Sequence, residues 1–131
     1  MSDSIFTRII KGEIPSHKVH EDDKTLAFLD IHPKQPGQTV VVPKEQISFV
    51  WDLAPEDYQA LMSTVQKVGR RLREVFPQKK RIGVFVEGLD VADHAHVVVL
   101  PFDSVAEFHG NPIEGEPDHP ALAALAKKLA F

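Results

Sequence analysis

The sequence predicts an α+β fold, an antiparallel sheet of about five strands with one long helix and short terminal helices. Three observations predict it. Short β-rich runs bounded by turn residues occur at Lys18–Glu21, Thr25–Ile31, Gln38–Pro43, Arg81–Glu87 and His94–Leu100. One long stretch after Pro55 repeats its apolar residues at helical spacing. The strand runs are interrupted by that one long helix, which is an α+β order of elements. At 131 residues the chain is read as a single domain, 1–131, able to bury a core without staples.

Each element has its own signals. Ser4 is placed to cap a helix over Ile5–Lys11, where Ile5, Phe6, Ile9 and Ile10 form one stripe. Gly12 ends that helix and Pro15 prevents its continuation. The polar stretch Glu21-Asp22-Asp23-Lys24 makes a hairpin of the first two strands. Pro33 and Pro36-Gly37 break the chain before the third strand, whose continuous run Thr39-Val40-Val41-Val42 suits burial on both faces. Pro55-Glu56-Asp57 suits the first turn of the long helix, and Leu61, Met62, Val65, Val68, Leu72, Val75 and Phe76 carry its stripe to Pro77. The fourth strand leads into a turn at Gly88-Leu89-Asp90, and the fifth ends at Pro101. Residues 103–117 read largely as loop, and Asp118 caps a last helix from about Pro120 to Ala130.

Composition excludes several classes of function. The absence of cysteine removes disulfide frameworks, thiol catalysis and cysteine-ligated metal sites, and favours a reducing compartment. Fifteen basic residues against nineteen acidic ones give −4, which argues against nucleic acid, and no apolar run approaches a membrane span. The opening residues lack the pattern of a signal peptide, so the expected location is the cytoplasm. The basic residues Lys67, Arg70, Arg71, Arg73, Lys79, Lys80 and Arg81 are expected to be a solvated face, and His17, His20, His32, His109 and His119 to lie at the surface. Trp51 and Tyr58 suit either a dimer interface or the core.

The chemistry concentrates in Asp93-His94-Ala95-His96-Val97-Val98-Val99-Leu100-Pro101. Alternation on a strand puts His94, His96 and Val98 on one side. Two histidines on a core strand need partners or a function, and the same spacing, with Asp93, also serves metal ligation.

This segment resembles the motif of the histidine triad (HIT) family, His-φ-His-φ-His-φ-φ with φ apolar. Ile5–Ser16 is similar to that family's opening helix, Glu21–Ile31 to its first hairpin and Pro36–Lys44 to its third strand, so the resemblance spans about residues 4–102. It implies a HIT-like fold and a nucleotide hydrolase or transferase, commonly homodimeric. Such a protein acts on a purine nucleotide phosphoramidate, a dinucleoside polyphosphate or a related phosphate compound, with an AMP- or GMP-like ligand. It implies His96 as the nucleophile that forms a covalent nucleotidyl-histidine, with the carbonyl of His94 holding its Nδ1 proton and the His94 side chain in support. It implies Asp30 at the ribose hydroxyls, and Ile5, Phe6, Ile9, Phe28 and Ile31 around the base. Gln38 and Val98 fall at nucleotide-contacting positions. No cofactor or metal is required by this chemistry.

The chain departs from the family pattern at several points. Val98 replaces the third histidine, Gln38 stands where many members have another histidine, and Val86 falls at a common asparagine. A one-residue shift between Gly88 and His94 leaves Asp93 without a counterpart, and the cysteines that bind zinc in some relatives are absent. Activity is therefore expected to be reduced. The alternatives are a regulatory nucleotide-binding module with little turnover and a metal protein using Asp93, His94 and His96.

Overall fold

The structure, a computed structural model, describes residues 2–131. Helix α1 (Ile5–Ile10) begins as expected at Ser4, whose extended backbone lets its Oγ accept from Thr7 N at 2.9 Å. The strands are β1 (Lys18–Glu21), β2 (Thr25–Leu29), β3 (Thr39–Pro43), β4 (Arg81–Phe85) and β5 (Val97–Phe102). They form one antiparallel sheet in the order β1-β2-β3-β5-β4. The long helix α2 (Pro55–Val75) follows a 3-10 turn at Val50–Asp52; α3 (Val105–His109) and α4 (His119–Leu129) complete the chain.

Register decides which side chains reach which face. Phe28, Val40, Val98 and Phe85 lie opposite one another across β2, β3, β5 and β4. The alternate residues Ala27, Leu29, Val41, Val97 and Val99 point to the other face. There they meet Leu61, Val65, Val68 and Leu72 of α2 and Ala126 and Leu129 of α4. The face carrying Leu26, Phe28, Val40 and Val42 is covered by Phe6 and Ile9 of α1. Removing such side chains from water is the main stabilising term. The two-sided burial expected of the third strand is thus present over Thr39–Pro43.

Gly37 shows how tightly the β2–β3 connection is drawn. Its φ of +94° favours glycine, and a Cβ there would lie 2.8 Å from the Phe76 ring. The C-terminal residues are also tied down: Asp118 caps α4 by accepting from Ala121 N, and Phe131 N donates to Val19 O at the edge of the sheet.

Four expectations need correction. The second and fourth strands stop at Leu29 and Phe85, short of Ile31 and Glu87, because the chain turns away from its neighbours there. The fifth strand starts at Val97, not His94: the N–H of Ala95 leaves the sheet ladder and donates to Ile47 O at 2.7 Å. It also runs through Pro101 to Phe102. β3 pairs with β5 only over Val97–Val99, so on that side the missing N–H of Pro101 leaves no ladder bond unmade. Finally, residues 103–117 contain α3. Ser104 Oγ accepts from Glu107 N at 3.1 Å while the Glu107 carboxylate accepts from Asp103 N at 2.7 Å. The Ser104-Val105-Ala106-Glu107 spacing is the signal of such a start.

Candidate functional site

The site lies on the α1 face, at the N-terminal end of β5. His96 and His94 are both buried, with 7% and 0% of their surface exposed. Phe6 stands edge-on to each ring, with centroids 5.1 Å from His96 and 5.7 Å from His94. The side shared by His94, His96 and Val98 therefore survives the later start of the strand.

His96 Nδ1 lies 2.9 Å from the carbonyl oxygen of His94. A carbonyl only accepts, so Nδ1 carries the proton and Nε2 keeps a free lone pair. This is the tautomer a nucleophile needs. The orientation is set within two residues of backbone.

His94 is itself fixed by both ring nitrogens. Nε2 lies 2.8 Å from Pro43 O, which requires an N–H donor there. Nδ1 is then an acceptor, 2.7 Å from Ser4 Oγ and 3.3 Å from Thr7 Oγ1. The Thr7 hydroxyl donates to Gln46 Oε1 at 2.7 Å, and Ser4 N donates to the same oxygen at 2.9 Å. Burial pushes the His94 imidazole below its ordinary pKa of 6.5; the bond to Pro43 and the charge of Asp93 oppose this without reversing it. His94 is thus a neutral strut joining α1, the end of β3 and the start of β5. Ser4, Thr7 and Gln46 were not foreseen as partners, because their contacts span 39 to 90 residues of sequence and leave no local pattern.

Asp30 lies beyond the end of β2 on the same face. Its Oδ1 accepts from His32 N at 2.8 Å and its Oδ2 from Gln38 Nε2 at 2.9 Å. A carboxylate has further acceptor sites, so capacity for a diol remains. Gln38 is buried, and its Oε1 accepts from Lys34 N at 2.9 Å. Its amide therefore braces Asp30 from within.

Among the apolar residues, Phe6, Ile9 and Phe28 are buried in the α1-face cluster, whereas Ile5 and Ile31 are exposed. Val98 is buried between Val40 and Phe85, its partners across the sheet. Val86 lies past the end of β4 and is exposed. Val91, in the stretch where the family resemblance slips by a residue, has φ +140°, a strained value for a β-branched residue.

The arrangement does not present a chelate. Both His94 nitrogens and the His96 Nδ1 already have partners, and among the described residues no three His, Asp or Glu side chains converge as metal ligands. Core packing does not account for Trp51 and Tyr58, since both are exposed. His17 and His20 depart from a free surface: His17 Nε2 meets His119 Nδ1 at 2.9 Å, and His20 lies between Asp22 and the C-terminal Phe131.

A buried histidine aimed by a backbone carbonyl, on a five-stranded antiparallel sheet under an N-terminal helix, defines a class of small α+β domain. Comparison with known proteins makes that specific. The HIT domain model matches residues 11–105, and the chain belongs to the HIT, or histidine triad, family. It is similar to Protein hit of Bacillus subtilis, with 31% identity over 96% of this chain and 94% of that protein. It is also similar to adenosine 5'-monophosphoramidase hnt1 of Schizosaccharomyces pombe, with 33% identity over 74% of this chain and 72% of that one. Among solved structures it resembles a Hit-like protein involved in cell-cycle regulation from Bartonella henselae. That match has a TM-score of 0.80 and 30% identity, covering 97% of this chain and 94% of that one.

Proposed function

We propose that this protein is a nucleotidyl hydrolase or transferase that acts on a purine nucleotide phosphoramidate, a dinucleoside polyphosphate or a related compound through a covalent nucleotidyl-His96. The observation that carries this reading is the bond from His96 Nδ1 to the His94 carbonyl, which in the neutral ring assigns the lone pair to Nε2. Nε2 attacks the α-phosphorus, and the bond from phosphorus to the leaving group breaks with its electron pair. Water then attacks the phosphorus, the P–Nε2 bond breaks with its electron pair returning to Nε2, and one water proton passes to solvent, releasing the nucleoside monophosphate and restoring neutral His96. Splitting one difficult displacement into two easier ones is the gain of covalent catalysis.

In this reading Ile5, Phe6, Ile9, Phe28 and Ile31 contact the base, and Asp30 holds the ribose, with Gln38 bracing it. No cofactor enters either step. The relation to an adenosine 5'-monophosphoramidase supports the substrate class. A cytoplasmic location and a homodimer belong to the same proposal. Val84 on β4, the edge of the sheet, and Val86 just past its end are both exposed, which suits a second copy. No helix among the described residues is long and apolar enough to cross a membrane.

One observation favours a weaker form of the reading. Val98 brings no proton donor to the leaving group. Incubation with an adenosine phosphoramidate and a dinucleoside polyphosphate, in chelator, tests the reading. Release of AMP supports an enzyme, AMP binding without release supports a regulatory module, and absence of binding overturns both.

Asp30→Ala is expected to weaken AMP about 10- to 100-fold, since a charged hydrogen-bond partner contributes roughly 1.5–3 kcal/mol. A phosphate compound without ribose should be affected far less. Calorimetry with both ligands checks this, and equal weakening removes Asp30 from the ribose role.

A further inference from the structure

We propose that Lys34 is the cation that receives the phosphate chain leaving His96, and that it biases the protein towards nucleoside polyphosphate anhydrides over phosphoramidates. This rests on the nucleotide reading above. Lys34 is half-buried, with its Nζ 4.6 Å above the Phe85 ring and 3.2 Å from Phe108 O, which it meets as a donor. Among the described residues it has no ion pair. Arg8, Lys11 and Lys44, by contrast, are paired with Glu13, Asp3 and Glu21. An ammonium partly removed from water and held only by a ring face and a carbonyl retains a strong attraction for an anion.

Register places this ammonium on the same face as His96. Phe85 lies directly opposite Val98, and Val98 follows His96 by two residues on the same side. Opposed side chains stand about 5 Å apart and alternate ones about 7 Å, so Nζ lies one side chain beyond Val98, on the order of 10 Å from His96. A phosphate chain attached at the α-phosphorus covers that span together with the reach of the lysine. The backbone at Lys34 is pinned as well, its N–H donating to Gln38 Oε1 while Gln38 Nε2 holds Asp30. One buried amide therefore sets the spacing between the proposed ribose contact and the proposed phosphate contact.

The chemistry favours anhydrides. When Nε2 of His96 bonds to the α-phosphorus, the bridging P–O bond breaks and its electron pair stays on the departing phosphate. That group leaves as an anion and needs no proton; the Lys34 ammonium pairs with it. An amine leaving from a phosphoramidate must instead gain a proton and brings no anionic chain to pair. Lys34 thus compensates for Val98 with one class of leaving group and not with the other.

The test compares wild type with Lys34→Gln and with Lys34→Met, which keeps an apolar stem over Phe85. Initial rates are measured with diadenosine tetraphosphate and an adenosine phosphoramidate, and affinities with AMP and ADP. In both variants the ratio of anhydride to amidate kcat/KM is expected to fall about 10- to 100-fold, as is the preference for ADP over AMP. Lys34→Arg should restore most of each, and added salt should weaken the wild-type preference. Unchanged ratios in both variants overturn the proposal. Wild-type protein that binds AMP but gains nothing from further phosphates overturns the role of Lys34 and leaves the nucleotide reading standing. Wild-type protein that binds neither nucleotide overturns both.

Discussion

His96→Ala is expected to abolish nucleotidyl transfer, with a fall of about 10⁴-fold or more in kcat, while AMP binding stays within a few-fold of wild type. Deleting a covalent nucleophile removes the two-step path entirely, and losses of that order are typical. The base and ribose contacts proposed above come from α1, β2 and the Asp30–Gln38 pair; the His96 ring packs edge-on against Phe6 of α1 but makes no hydrogen bond to Asp30 or Gln38. The variant should also fold. The ring is buried, so some stability is lost, but it carries one hydrogen bond, to the His94 carbonyl, where the His94 ring is held through both nitrogens. Mass spectrometry of protein quenched during turnover should show one added nucleotidyl group on wild type and none on the variant. Near-wild-type turnover by His96→Ala overturns the assignment of the nucleophile.

The largest effect on stability is expected at the neighbouring histidine. His94→Ala should lower the unfolding free energy by about 3–5 kcal/mol, the range for removing a large buried side chain. The ring is fully buried, and its loss removes the bonds it makes to Pro43 O and to the Ser4 hydroxyl. Chemical denaturation of the two proteins at pH 7.5 measures this, and a change below about 1 kcal/mol overturns the strut role.

The same residue sets a pH dependence. In the folded protein the His94 pKa lies below 6.5, whereas the unfolded chain titrates near that value. Below about pH 6.5 the unfolded state therefore binds the extra proton, and stability falls as pH falls. The loss is at most about 1.4 kcal/mol per pH unit and levels off once the native imidazole also protonates. Stability between pH 7.5 and 5 should consequently decline more steeply in wild type than in His94→Ala. Parallel curves overturn this attribution.

Most of the fold was legible because its signals are local. Ser4, Gly12, Pro55 and Asp118 each act within one turn of backbone, and the continuous apolar runs in Thr39–Pro43 and Val97–Leu100 report the two-sided sheet directly. The ends of the strands were not legible in the same way. Whether Ala95 pairs along the sheet or with Ile47 O depends on a segment some fifty residues away. The site followed the same division. The His94–His96 relation is a two-residue property of an extended chain and could be expected from sequence. The fourfold contact among Ser4, Thr7, Gln46 and His94 joins three separate segments and could not. Helix α3 was missed although its Ser104–Glu107 start was present, because the glycines and prolines around it dominate a reading by composition.

The hydroxyl of Ser4 serves two masters, accepting from Thr7 N as a helix cap and donating to His94 Nδ1. A six-residue helix has almost no helicity of its own, so α1 persists through what it touches. Unravelling α1 releases the cap, unlocks His94 and frees the carbonyl-bearing segment that aims His96. Melting of the N-terminus and misalignment of the His96 ring are accordingly one cooperative opening event. In amide hydrogen exchange, Arg8, Lys11 and Ala95 should open together, at a lower free energy than the amides of β2 and β3. A bound nucleotide seated against Phe6 and Ile9 would slow all three in concert.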